Sequence, residues 1–214
     1  MNHIYKIFFR AIYNPLSPLC FFSKYKLRNK LGKLRINNWH INSCYQCRAY
    51  KKESVDLCNR LEKDVIIDFG CGLGDIISKI GTGSIIRIGV DNNKEIIKAA
   101  NYLNENKITF FYMDKIEELN DLLEINLNTV KEKRRLVFIA INIFHDFHIS
   151  QIIKIVNILD QHFTNYIVLT DLTRGNDYKF CHTEKDWLDI GFFRTYFSSV
   201  SKSRDLISFR RESI

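Results

Sequence analysis

The feature that most constrains this chain is residues 64–75, DVIIDFGCGLGD, where a short apolar run breaks into three glycines at alternating positions. Residues 65–69, interrupted only by Asp68, have the pattern of a strand buried in a parallel sheet. Gly70, Gly72 and Gly74 let the backbone turn sharply and approach a ligand closely, where any Cβ would collide. Residues 75–80 are expected to begin a helix whose free N–H groups face the same ligand. Strand, glycine turn and helix in that order make a nucleotide-type site.

The rest of the chain supplies a sheet around it. Residues 53–63 read as a helix leading into the first strand. Residues 84–90 (SIIRIGV) form a second strand candidate ending at Asp91, and Asn92 and Asn93 then cap a helix to about residue 104. Residues 108–113 give a third strand ending at Asp114, residues 115–126 a helix, and residues 136–143 (LVFIAINI) a fourth buried strand. A helix over 149–162 precedes a fifth strand, 166–170, which ends at Asp171. Thr183 with Asp186 resembles a capping box for a helix to about Ile190, and residues 192–198 and 206–210 pair as a final hairpin. Five strand–helix alternations predict an α/β fold with a doubly wound Rossmann-like sheet, mostly parallel, closed by a C-terminal antiparallel hairpin. Acids and small polar residues collect at strand C-termini, where such sheets bind ligands.

Charge divides the chain near residue 60. Residues 1–60 carry 12 Lys and Arg against Glu53 and Asp56, a net +10, whereas residues 61–214 sum to −2. This predicts two parts, a basic, aromatic, helical N-terminal extension over 1–60 and a catalytic domain over 61–214. Residues 3–14 form an apolar helix with one narrow polar face, ended by Pro15 and Pro18; Leu16, Leu19, Phe21 and Phe22 extend the apolar character. Residues 24–35 are basic, with Leu27, Leu31 and Leu34 on one side. Three readings stay open for residues 1–35: a helical cap on the catalytic domain, an in-plane attachment to an anionic membrane surface, or a nucleic-acid contact. No stretch approaches the ~18 apolar residues of a membrane span, and no signal-peptide cleavage site follows the N-terminus. The six scattered cysteines lack the density of a disulfide scaffold, so a reduced, cytoplasmic protein is expected. Cys44 and Cys47 have metal-ligand spacing without a second pair, and plain thiols are the default for them.

The glycine spacing separates two cofactor classes. A dinucleotide fold wants a small residue where this chain has Asp75, and its third glycine comes one position early. The string Asp68-Phe-Gly70-Cys71-Gly72-Leu-Gly74 instead resembles the first motif of class I S-adenosylmethionine-dependent methyltransferases, and the resemblance runs over residues 64–210. It implies S-adenosyl-L-methionine as cofactor, with Asp68 organising the loop and the 70–74 backbone, Cys71 included, admitting its methionine part. Asp91, next to Asn92, matches the family's ribose-binding acid, Asp114 its adenine acid, and Ile143-Phe144-His145 its fourth-strand position facing the methyl group, with Asn142 before it a further cofactor-binding candidate.

The motif by which related enzymes methylate nitrogen, Asn/Asp-Pro-Pro-aromatic, has no counterpart in Asn142-Ile-Phe-His145, and no Pro-Cys nucleophile for cytosine C5 is present. Oxygen remains, and a hydroxyl needs a general base; His145 and His182 are the candidates. The carboxylate pair of metal-assisted relatives is absent after the fifth strand, so no metal is expected. Residues 178–182 (YKFCH) are similar to small methyltransferases of bacterial surface-polysaccharide loci. That resemblance implies O-methylation of a sugar hydroxyl in a surface glycan or its lipid-linked precursor, on the inner face of a membrane. An RNA methyltransferase using the basic segment, or a non-catalytic binding protein on this fold, are the rival readings.

Overall fold

Seven strands form one sheet in the computed structural model: β1 (Val65–Phe69), β2 (Ile86–Asp91), β3 (Thr109–Tyr112), β4 (Leu136–Ala140), β5 (Asn165–Thr173), β6 (Phe193–Ser201) and β7 (Arg204–Glu212). The described residues are 11–32, 34, 36–81, 83, 85–104, 108–127, 134–173, 178–201 and 204–212. The strand order is β3-β2-β1-β4-β5-β7-β6; β1 to β5 run parallel, and β7 pairs antiparallel with both β5 and β6. This is the mostly parallel Rossmann-like sheet with a terminal hairpin that the alternation predicts. The order reverses at β1, which has β2 on one side and β4 on the other, with Asp68 level with Ile139. The glycine turn after β1 therefore faces the loop after β4 across the switch point.

Seven helices flank the sheet among the described residues: α1 (Pro18–Leu31), α2 (Asn38–Asn42), α3 (Ala49–Arg60), α4 (Lys94–Asn104), α5 (Glu118–Leu127), α6 (Ile149–His162) and α7 (Glu184–Asp189). Strand periodicity sends alternate residues of β1 to opposite faces. Val65, Ile67 and Phe69 pack with Leu119, Ile152 and Trp187 from α5, α6 and α7. Ile66 packs with Val55 and Leu57 of α3 and with Ile97 and Ala100 of α4. Gly89 keeps that second face thin, since a Cβ there would lie 2.4 Å from the Phe110 ring.

Several expectations are corrected. No α-helix follows the glycine turn: residues 77–79 form a single 3₁₀ turn, because Ile76, Ile77 and Ile80 are all buried and commit the segment to the core. Pro18 opens a helix instead of ending one, at the first position of α1 behind Ser17, whose hydroxyl accepts from the Cys20 N–H. The helix expected from residue 53 starts four residues earlier, and β4 stops at Ala140, short of residue 143. The thiols are not all free, since Cys20 and Cys47 are joined in a disulfide that fastens α1 to the turn before α3. Cys44 Sγ lies 3.2 Å from Cys47 Sγ. The Thr183–Asp186 capping box is formed at α7. Most of the apolar helix expected over 3–14 lies outside the described residues. No described helix is long and apolar enough to cross a membrane.

Candidate active site

Two clefts open along the C-terminal edge of the parallel strands, of about 910 Å³ and about 430 Å³. Gly70, Asp91, Asn92, Ile143 and Asp146 border both, so the two meet over the switch point.

The glycine turn builds their floor. Gly70, Gly72 and Gly74 all have positive φ, +73°, +55° and +74°, which L side chains rarely adopt. The N–H groups of Gly70 and Cys71 both donate to Val90 O, at 2.8 and 2.9 Å, locking the turn against the end of β2. The three glycines face different neighbours: a Cβ at Gly70 would meet Ile143 at 3.0 Å, one at Gly72 would meet His40 at 3.4 Å, and one at Gly74 would meet the Phe110 ring at 2.6 Å. Gly74 borders neither cleft; core packing and its φ, not a ligand, demand glycine there. Cys71 is buried, and its Sγ lies where a Cβ on Gly89 would approach to 3.1 Å.

Carboxylates fix the turn from behind and from the side. Asp68 is buried at the end of β1 and accepts from the Ile77 N–H, while its Oδ2 has no hydrogen-bond partner. Burial pushes its carboxyl up to about 7, against the pull of nearby Lys51. Asp91 closes β2: Oδ2 accepts from Gly72 N–H at 2.9 Å and Oδ1 from Asn93 N–H at 3.0 Å. Burial raises this carboxyl, opposed by those two bonds and by His40. Asp114, just past β3, borders the smaller cleft beside Met113 and Ile116.

The loop after β4 makes the opposite wall. Asn142 sits at φ +61°, the one described non-glycine residue with positive φ. Its N–H donates to buried Asp171 Oδ1 at 2.6 Å, and its Oδ1 accepts from the Arg204 guanidinium. Arg204 Nε stands 3.0 Å from Asp171 Oδ2, and the guanidinium lies 5.2 Å from the Tyr50 ring centre. Asp171 is thus ion-paired with Arg204, and no group of three or more His, Cys, Asp or Glu that could hold a metal ion is found among the described residues. His145 borders the larger cleft, its ring 4.9 Å from that of Tyr178 and its Nε2 3.7 Å from Asp146 Oδ2. Its Nδ1 is buried without a partner.

The second candidate base is placed elsewhere. His182 Nε2 donates to the carbonyls of Phe144 and Phe147, at 3.1 and 2.8 Å, and borders neither cleft. It clamps the loop that carries His145. The structure therefore brings together Gly70, Gly72, Asp91, Asn92, Asn142 and His145, with Asp114 at the far end. Sequence reasoning missed His40, Arg48, Tyr178 and Arg204 on the cleft wall. Of these only Tyr178 carried a signal, as the first residue of the YKFCH string.

No family model and no curated protein matches this chain. Solved structures do resemble it. Magnesium protoporphyrin IX methyltransferase from Synechocystis PCC 6803, with bound SAM, superposes at TM-score 0.55 and 15% identity over 90% of this chain and 91% of that one. The bifunctional kinase-methyltransferase WbdD superposes at TM-score 0.60 and 15% identity, over 86% of this chain and 46% of that one. The methyltransferase domain of bacterial CtHen1-C superposes at TM-score 0.52 and 15% identity, over 76% and 97%. The chain has the Rossmann-like fold of these class I methyltransferases.

Proposed function

We propose that this protein is an S-adenosylmethionine-dependent methyltransferase that methylates a sugar hydroxyl, in a surface glycan or its lipid-linked precursor. The observation that carries the reading is the junction of the two clefts. There a Cβ-free turn, a β2-terminal carboxylate and the loop after β4 converge.

The residues fit an adenosyl ligand. Gly70 presents bare backbone at the junction and Gly72 in the larger cleft, Asp91 offers a carboxylate beside them, and Val90, Met113 and Ile116 give the smaller cleft apolar walls. In this reading Asp91 accepts from the ribose hydroxyls, Asp114 from the adenine amino group, and the Gly70–Gly72 turn with Asn142 borders the methionine end. S-adenosylmethionine supplies a sulfonium methyl open to in-line attack by an oxygen. The protein contributes position and a proton acceptor. His145 Nε2 takes the acceptor's hydroxyl proton, and the carboxylate of Asp146 at 3.7 Å stabilises the imidazolium. Trp39, Tyr50 and Tyr178 line a cleft that also holds Asn142 and Arg204, the mixture of aromatic and polar groups a sugar needs. Attachment to an anionic membrane is supported by α1, where Phe21 and Phe22 are 74% and 68% exposed among Lys24, Lys26, Arg28 and Lys30, with no acid in the helix.

Calorimetric titration with S-adenosylhomocysteine tests the cofactor. The wild type should bind, and Asp91→Ala should weaken binding at least tenfold, about 1.4 kcal/mol. A folded wild type that does not bind ends the methyltransferase reading.

A further inference from the structure

The acceptor side of the larger cleft carries an unused cation. Three basic residues crowd the start of α3, where the helix dipole disfavours positive charge and no acid stands in the first turn. Two are neutralised: Lys51 donates to Asp75 at 2.9 Å, and Lys52 pairs with Asp56. Arg48 is not. Among the described residues no carboxylate or carbonyl meets its guanidinium, and its Nε is buried without any partner. Arg48 lines the larger cleft together with Lys179, which forms no ion pair among the described residues and lies 5.4 Å from the Phe180 ring centre. Arg204 on the same wall is already matched by Asp171. Among the described residues the acids bordering this cleft are Asp91, at the cofactor junction, and Asp146, beside His145.

A half-buried guanidinium without an acceptor costs desolvation energy, and no described residue supplies Arg48 with a carboxylate or carbonyl to return it. A planar fork of donors matches a phosphate or carboxylate better than it matches a neutral hydroxyl. We propose that the acceptor is an anionic sugar, whose phosphate or carboxylate group is bound by Arg48 and Lys179 while a hydroxyl is presented at His145. This rests on the methyltransferase reading and narrows its substrate class. It also separates recognition from chemistry: Arg48 and Lys179 hold the anion, and His145 handles the proton.

The test titrates protein saturated with S-adenosylhomocysteine against inorganic pyrophosphate, glucuronate and glucose at low salt. Pyrophosphate or glucuronate should bind at least tenfold more tightly than glucose, and whichever binds identifies the phosphate-bearing or carboxylate-bearing source. Arg48→Gln should remove about tenfold of that affinity and leave S-adenosylhomocysteine binding unchanged. Should Arg48→Gln not fold, Arg48→Lys and Lys179→Gln carry the comparison. No preference for either anion over glucose, or an anion affinity indifferent to these substitutions, overturns the proposal. Tighter binding of an oligouridylate than of pyrophosphate, lost in Arg48→Gln, overturns it in favour of RNA. Failure to bind S-adenosylhomocysteine at all is a separate result, which removes the methyltransferase reading itself.

Discussion

Replacing Arg204 by alanine should destabilise the protein by an amount that grows with pH. Arg204 is the cationic partner of Asp171, whose side chain is 2% exposed against 13% for Arg204. The 3.0 Å contact is close in distance but not aligned as a hydrogen bond, so its contribution is chiefly charge. Burial holds the Asp171 carboxyl above the usual range, and Arg204 is the largest influence opposing that rise. Removing one partner of a buried pair costs about 3–5 kcal/mol when the remaining group must stay charged. A carboxyl can escape by taking a proton, at about 1.4 kcal/mol per pH unit above an unfolded pKa near 3.9. That escape costs about 1.5 kcal/mol at pH 5 and about 5.5 kcal/mol at pH 8. The folded carboxyl keeps its proton to higher pH than the unfolded one, so stability falls as pH rises between the two values. Urea unfolding should therefore show Arg204→Ala losing about 3–5 kcal/mol at pH 8 and at most about 2 at pH 5. Adding Asp171→Asn should abolish the difference between the two pH values, because an amide cannot ionise and still accepts from the Asn142 N–H. Equal losses at pH 5 and pH 8, or a double variant as pH-dependent as the single one, would refute the electrostatic account.

Two further predictions separate the histidines and test the proposed membrane attachment. With an anionic sugar acceptor in hand, His145→Asn should lower kcat by about 10²–10⁴ with S-adenosylhomocysteine affinity unchanged. His182→Ala should instead cost stability, about 1–2 kcal/mol for two lost contacts to half-buried carbonyls; the reverse pattern would exchange their roles. Co-sedimentation with vesicles rich in phosphatidylglycerol should retain the wild type and release the Phe21→Ser, Phe22→Ser variant. Equal retention of both, or retention of neither, would refute attachment through α1.

Local sequence was informative wherever local physics decides the structure. The near-continuous apolar run of β1, the glycine spacing and the acids at the ends of β2 and β3 are short-range patterns, and each set its element within a few residues. The helix expected after Gly74 failed for a tertiary reason: Ile76, Ile77 and Ile80 are worth more in the core than in a regular turn of helix. The glycines show the same limit. Their spacing forecast a turn, but not the Phe110 ring from β3, with which a Cβ at Gly74 or at Gly89 would collide. Arg204, 33 residues beyond Asp171 and on the terminal hairpin, had no marker in the chain, because its role exists only once β7 lies against β5. His182 looked catalytic by its neighbours in sequence, yet Phe144 and Phe147 claim its imidazole.

The basic N-terminal segment is where sequence and structure diverge most usefully. Read as a sum, its +10 is one electrostatic feature, open to a helical cap with solvated lysines, a membrane surface or a nucleic-acid contact. Distributed over the fold, it is several. Lys51 is spent inside the protein: it pairs with Asp75 beyond the glycine turn and lowers the charge cost of buried Asp68, so α3 belongs electrically as well as sterically to the site. Arg48, one turn earlier, faces the cleft. Lys24, Lys26, Arg28 and Lys30 lie on α1, beside exposed phenylalanines and on the far side of a disulfide that ties the helix to the site's edge at Cys47. A charge-reversal series over α1 should therefore change membrane retention without changing anion affinity in the cleft, and Arg48 substitutions should do the opposite. Net charge counts cations; burial and partners decide what each of them is for.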